Sequence, residues 1–79
     1  MSEFLVVYDY GAGGLWAFVE AESEAEATST FPELIVMHNR PEWMNDEEEA
    51  KIRGEDSFVA SDPRTYPDWV RTMIDERKG

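Results

Sequence analysis

The stretch GAGG at positions 11–14 separates two segments rich in aromatic and β-branched residues, EFLVVYDY (3–10) and LWAFVEA (15–21). Segments of this composition favour β-strands, and glycines supply the positive φ angles that a tight chain reversal requires. The sequence therefore predicts a β-hairpin, with either Ala12 and Gly13 alone or all four residues forming the turn.

The predicted pairing register places Tyr8 opposite Ala17 and Val6 opposite Val19. Because alternate residues of a strand point to opposite sides, this register gives the hairpin two distinct faces. The first face is assigned to the core and comprises Phe4, Val6, Tyr8, Tyr10, Leu15, Ala17, Val19 and Ala21. The second face is apolar in its middle and charged at its edges, and comprises Leu5, Val7, Asp9, Trp16, Phe18 and Glu20. We expect this second face either to be covered by another element or subunit, or to be a contact surface.

A glycine loop after a strand is also the phosphate-binding element of many nucleotide enzymes. The dinucleotide-binding motif requires a third glycine and a helix that begins directly after the loop. Trp16 occupies the place of that third glycine, the residues after it alternate as in a strand, and no lysine lies beside the loop. The sequence therefore favours a turn over a phosphate site.

Two capping boxes mark the starts of helices in the rest of the chain. Ser23 with Glu26 begins the first of these helices, which Pro32 ends. Asn45 with Glu48 begins the second, which has acidic residues in its first turn and ends before Gly54. In the second helix, Glu47 with Lys51 and Glu49 with Arg53 are expected to form (i, i+4) ion pairs.

The remaining predicted elements are two strands and a third helix. The segment 34–38, which begins with four apolar residues in succession, predicts a central strand, and 57–60 predicts a short strand at a sheet edge. The segment 66–77 carries an apolar stripe at helical spacing and has Thr65 as its predicted N-cap. Together these elements predict one α+β domain over 1–79. Its N-terminal hairpin belongs to a small three- to four-stranded, mostly antiparallel sheet, with two or three short helices packed on one face.

The chain is strongly acidic, with 18 acidic and 7 basic residues and a net charge of −11. This charge disfavours direct binding to nucleic acid or to an anionic membrane. The absence of cysteine excludes disulfides and zinc–thiolate sites. The sequence also shows neither a signal peptide nor an apolar run long enough to span a membrane. We therefore expect a cytoplasmic protein.

Chemistry-bearing residues give no specific signal for catalysis or for metal binding. His38 is the single histidine, and no partner suited to acid–base chemistry can be assigned to it from the sequence. The acidic run 45–49 lacks the spacing and central glycine of a calcium-binding loop, and a helix first turn accounts for it. The sequence predicts no enzyme, no cofactor and no metal.

The leading functional hypothesis is a small interaction module that binds a protein partner or a second copy of itself. Aromatic residues are enriched where partners bind, and the candidate contact residues are Asp9, Trp16, Phe18, Glu20 and Trp43.

Two alternatives remain open from the sequence. One is an acidic inhibitor or immunity-type protein that imitates nucleic acid with the carboxylates of Glu20, Glu22, Glu24, Glu26 and 46–49. The other is an enzyme or small-ligand binder with a pocket near His38, Asp9 and Tyr8.

The opening YDYGAGGLW, followed by FPEL, RPEWM and an acidic helix, resembles short uncharacterised bacterial proteins that share a Y-D-Y-G-x-G-G-x-W opening. The resemblance covers roughly the first fifty residues. Those proteins carry no assigned activity, so the resemblance implies no catalytic or binding residues. It implies that Asp9, Gly11, Gly14 and Trp16 belong to one local unit.

Overall fold

The computed structural model describes residues 1–9, 11 and 13–78, with the backbone alone for residue 78. The predicted positions of Tyr10 on the core face and of Ala12 in the turn lie outside the described residues. The elements follow in the order β1 (Ser2–Asp9), β2 (Gly14–Ala21), α1 (Glu24–Thr30), β3 (Ile35–Met37), α2 (Asp46–Glu55), β4 (Ser57–Val59), a 3₁₀ turn (Pro63–Thr65) and α3 (Asp68–Lys78).

The N-terminal hairpin is confirmed: β1 pairs with β2 in antiparallel orientation, and Gly14 begins a strand instead of a helix. The predicted register is wrong by two residues, because Tyr8 pairs with Leu15 and Asp9 pairs with Gly14. The strands are joined by residues 10–13. In this connection the Asp9 carboxylate accepts a hydrogen bond from the Gly11 N–H at 2.9 Å, and Gly11 has a φ of 93°. A shift of two residues preserves the side on which each residue lies, so both predicted faces are retained.

The sheet has the strand order β3-β1-β2-β4, in which β1 is antiparallel to both neighbours and β4 is parallel to β2. The predicted edge position of β4 is confirmed, but the predicted central position of β3 is wrong. The side chains of the apolar run that suggested a central strand are not all buried. Leu34 precedes the strand and is buried, Val36 packs against the core, and Ile35 lies on the second face with 52% of its surface exposed.

Two helices, α1 and α3, contribute to the core on the first face. The largest fully buried side chains of this core are Val6, Val19, Phe31, Phe58 and Val70. Phe31 and Phe58 meet edge to face at 5.3 Å between ring centroids, and Tyr66 completes the cluster against both rings.

The predicted caps of the first two helices are confirmed. The Ser23 hydroxyl accepts a hydrogen bond from the Glu26 N–H at 3.1 Å, and the Asn45 side chain accepts one from the Glu48 N–H at 2.8 Å. Gly54, predicted to follow α2, lies inside its last turn.

The third helix begins at Asp68, two residues later than predicted. Thr65 does not cap this helix, because its hydroxyl bonds to β4 and to the 3₁₀ turn. Its hydroxyl accepts a hydrogen bond from the Val59 N–H at 2.8 Å and donates one to the Asp62 carbonyl at 2.7 Å. Thr65 therefore secures the end of β4 to the 3₁₀ turn.

The helix α2 lies on the second face of the sheet. The Arg53 guanidinium stands 4.4 Å from the centre of the Phe18 ring and forms an ion pair with Glu3 at 2.9 Å. Because α2 packs against β2 and β4, it covers one half of this face and leaves the half formed by β1 and β3 more open.

Candidate functional site

The more open half of the second face carries a continuous apolar surface. Ile35 pairs with Val7 across the β1–β3 boundary, and Val7 in turn pairs with Trp16 across the hairpin. A shallow groove of about 480 Å³ runs over these strands. It is lined by Val7, Asp9, Gly11, Gly13, Gly14, Trp16, Ile35 and Met37.

Trp43 extends this apolar surface from outside the sheet. Its indole meets that of Trp16 at 5.3 Å between ring centroids and at an interplanar angle of 79°, while 54% of the residue's surface stays exposed. The neighbouring Met44 is 1% exposed, and its N–H donates to the Pro41 carbonyl at 3.0 Å. The buried methionine therefore anchors the segment that presents Trp43 to solvent.

We call the set Val7, Trp16, Ile35, Met37 and Trp43 the aromatic surface.

Glycine at position 14 is needed for the floor of the groove. A Cβ atom on Gly14 would stand 2.8 Å from the Val7 Cγ2 atom and 3.5 Å from the Trp16 indole nitrogen. The absence of a side chain thus allows both residues to lie over this end of the hairpin.

Three of the five predicted contact residues come together, and two do not join them. Asp9, Trp16 and Trp43 lie at or beside the groove. Phe18 is 4% exposed beneath Arg53, so no partner can reach its ring without displacing that side chain. Glu20 pairs with Glu3 at the opposite end of the hairpin from Asp9.

Sequence reasoning missed Ile35 and Met37 as surface residues. Their alternation with Val36 was visible, but it was interpreted as part of a strand buried on both sides. The register of β3 with β1 places Ile35 and Met37 on the second face with Val7, and the edge position of β3 leaves Ile35 exposed.

Ion pairs fix α2 and the segment before it against the second face. Arg40 pairs with Asp46 at 2.7 Å and with Glu49 at 2.6 Å, and Arg53 also pairs with Glu49 at 3.0 Å. Hydrogen bonds from Arg40 and then Arg53 lower the pKa of Glu49 from its ordinary value. The predicted Glu49–Arg53 pair is thus confirmed, whereas Lys51 forms no ion pair within the described part of the chain.

The acidic residues suggested for nucleic-acid mimicry fall into separate groups. Those of α1 are on the helix that packs on the first face of the sheet, because Ala27 of this helix belongs to the core cluster. Those of α2 lie on the second face, where Arg53 covers Phe18. One of the α1 carboxylates, Glu24, accepts a hydrogen bond from the His38 Nε2 atom at 2.8 Å.

His38 and Asp9 lie toward opposite ends of β1. Met37 pairs with Leu5, and Asp9 lies four residues beyond Leu5, which corresponds to roughly 13 Å along a strand. The structure therefore does not bring His38, Asp9 and Tyr8 into one pocket.

No protein-family model, curated protein or solved structure matches the chain. Within residues 1–9, 11 and 13–77, no three metal-ligating side chains form a group suited to a metal ion. The helices of the described chain are too short and too polar to cross a membrane.

Proposed function

We propose that this chain is a small interaction module that binds a protein partner through the aromatic surface. The observation that carries the proposal is the exposure of Ile35 (52%) and Trp43 (54%) beside one groove, on a half-sheet that α2 leaves more open. Exposed apolar surface that is continuous and bordered by polar groups is typical of protein interfaces, and tryptophan contributes strongly to them.

The charge of the chain favours a partner with basic residues around an apolar centre. The net charge is −11, so two copies that meet face to face would repel one another. Asp9 borders the groove. Two of the nearby cations, Arg40 and Arg53, are already paired with carboxylates of the same chain. A basic partner therefore gains electrostatic attraction that a second copy lacks.

The edge position of β3 supports the same proposal. Within the described residues, β3 pairs with β1 on one side and has no strand on the other. A free strand edge can accept an extended segment of a partner through main-chain hydrogen bonds. The side chains of Ile35 and Met37 then lie beside that segment.

A random-peptide library selected against the immobilised full chain tests this function. We expect the enriched peptides to combine apolar residues with lysine or arginine, and to bind Ile35→Thr and Trp43→Ala at least about tenfold more weakly. The matched control is Val59→Thr, which makes a similar change on the other edge strand and should retain binding.

Three results would count against the proposal. These are the absence of enrichment, enriched peptides that bind all variants equally, and enrichment of acidic peptides. Sedimentation of the unliganded chain supplies a further check, because a dimer that Ile35→Thr dissociates would assign the surface to a second copy.

A further inference from the structure

A second groove lies at the open edge of β2 and adjoins the one over β1 and β3, with which it shares Gly14 and Trp16. Its volume is about 270 Å³, and all three tryptophans of the chain line it. We call it the tryptophan groove, and its lining comprises Gly14, Leu15, Trp16, Trp43, Glu48, Lys51, Ile52, Glu55, Asp56 and Trp69.

The topology of the sheet explains why this groove exists. The pairing between β4 and β2 begins at Phe18, whose N–H donates to the Asp56 carbonyl at 3.1 Å. The β2 residues before Phe18 therefore have no strand on this side within the described chain. Trp43 and α2 border the opening on the second face, and Trp69 of α3 borders it from the first face.

Each indole of the groove contacts another aromatic ring of the chain. Trp16 and Trp43 are nearly perpendicular, at 79°. Trp69 stacks on Tyr8 at 6.3 Å and meets Phe58 edge to face at the same centroid distance. Indole faces carry negative electrostatic potential, so aromatic rings that line one groove form a favourable environment for an organic cation.

The charged residues of the groove favour the same ligand. The residues that line the groove include three acidic ones, Glu48, Glu55 and Asp56, and one basic one, Lys51. Within the described residues, the cation–π contact that the structure contains is that of Arg53 with Phe18, so the indoles of the groove are not occupied in this way.

We propose that the tryptophan groove binds an organic cation, namely a lysine or arginine side chain of the partner, methylated or unmodified. This inference rests on the proposed function, because the partner supplies the cation. Lys51 also lines the groove, and its positive charge opposes the binding of a cation. The groove thereby gives the interaction a preference for a basic residue next to the apolar contact made by Ile35.

Choline is a suitable first probe, with the neutral isostere 3,3-dimethylbutan-1-ol as the matched compound. Titration of the full chain is followed by the NMR signals of the three indole N–H groups. We expect choline to shift these signals with a dissociation constant on the order of 1 mM, and the neutral isostere to leave them unchanged. Equal binding of both compounds, or of neither, would overturn the proposal.

Variants of the groove test which residues recognise the cation. Trp43→Leu keeps apolar bulk but removes the indole, and we expect about tenfold weaker choline binding. Glu55→Gln should also weaken binding, whereas Glu47→Gln on the same helix but outside the groove is the control. Lys51→Gln should strengthen binding. Unchanged affinity in Trp43→Leu would contradict the assignment.

Two further measurements separate this inference from the proposed function. Ile35 lines only the first groove, so Ile35→Thr should lose peptide binding and still bind choline normally. Peptide binding without any choline response would support the proposed interaction module and contradict the cation site. Acetylated amides of lysine, trimethyllysine and arginine then identify which cation binds most tightly.

Discussion

Gly14 and Val7 approach each other so closely that a Cβ atom at position 14 would stand 2.8 Å from the Val7 Cγ2 atom. Val7 is 8% exposed and is held in the sheet by Trp16 on one side and Ile35 on the other. A new methyl group must therefore displace part of the aromatic surface.

Gly14→Ala should destabilise the fold by about 1–3 kcal/mol, as overpacking of a well-packed site does. Urea denaturation followed by tryptophan fluorescence measures this loss. The control is Gly54→Ala, because a Cβ atom at position 54 meets nothing within 4 Å and alanine is favoured over glycine inside a helix by about 0.5–1 kcal/mol. Equal stability of Gly14→Ala and the parent chain would show that Val7 and Trp16 can move aside at no cost.

Thr65→Ala should destabilise the end of β4 and not the start of α3. Its hydroxyl accepts a hydrogen bond from the Val59 N–H at 2.8 Å, and the net contribution of such a bond to stability is about 0.5–1.5 kcal/mol. Amide hydrogen exchange distinguishes the two positions, and we expect faster exchange at Val59 with little change in the first turn of α3. Thr65→Ser should retain the parent exchange rates. Faster exchange confined to α3 would instead support the helix cap predicted from sequence.

Local sequence patterns predicted the structure correctly wherever a short segment determines its own conformation. The caps at Ser23 and Asn45 need only a side-chain oxygen and an N–H three residues later, and both formed as predicted. The glycines likewise indicated the reversal. They could not set the register, because the bond between Asp9 and Gly11 lies in the turn and Gly14 belongs to the strand.

Contacts between segments that are distant in the sequence were harder to predict. A run of apolar residues does not reveal whether its strand is central or at an edge, so the exposure of Ile35 was not predicted. Thr65 has the residue type of a helix cap, yet its hydrogen bond goes to β4, whose position depends on the whole sheet. Trp16 and Trp43 were identified because the predicted core did not require them. Their perpendicular contact depends on how Met44 and α2 close over the sheet.

Trp43→Ala should cost little stability, since more than half of the residue is exposed and its main ring contact is with Trp16. An edge-to-face aromatic pair contributes about 0.5–1.5 kcal/mol, so we expect a loss of about 1 kcal/mol in urea denaturation. Phe31→Ala is the comparison, because Phe31 is fully buried and such truncations cost about 3–5 kcal/mol. A loss at Trp43 as large as that at Phe31 would identify Trp43 as a core residue and remove it from the proposed interface.

The ion pairs of Glu49 should make stability depend on pH in acid. Hydrogen bonds from Arg40 and Arg53 place the folded-state pKa of Glu49 below its ordinary value of 4.5. A carboxylate with a lowered pKa stabilises the fold above its unfolded-state value, and this contribution is lost as the pH falls through the folded-state value. The parent chain should therefore be more stable than Glu49→Gln near neutral pH, and the difference should decline below about pH 4.5. Urea denaturation from about pH 6 to about pH 3 measures it.

Glu47→Gln is the matched control for this prediction, because it removes a carboxylate of the same helix that forms no ion pair within the described residues. The difference in free energy of unfolding between this variant and the parent chain measures the effect of removing one negative charge from a chain of net charge −11. Protonation relieves the general repulsion among carboxylates in all three proteins, so that effect largely cancels when each variant is compared with the parent. A difference between parent and Glu49→Gln that stays constant across the titration, or that follows the Glu47→Gln control, would mean that the bonds to Arg40 and Arg53 contribute nothing to folding in solution.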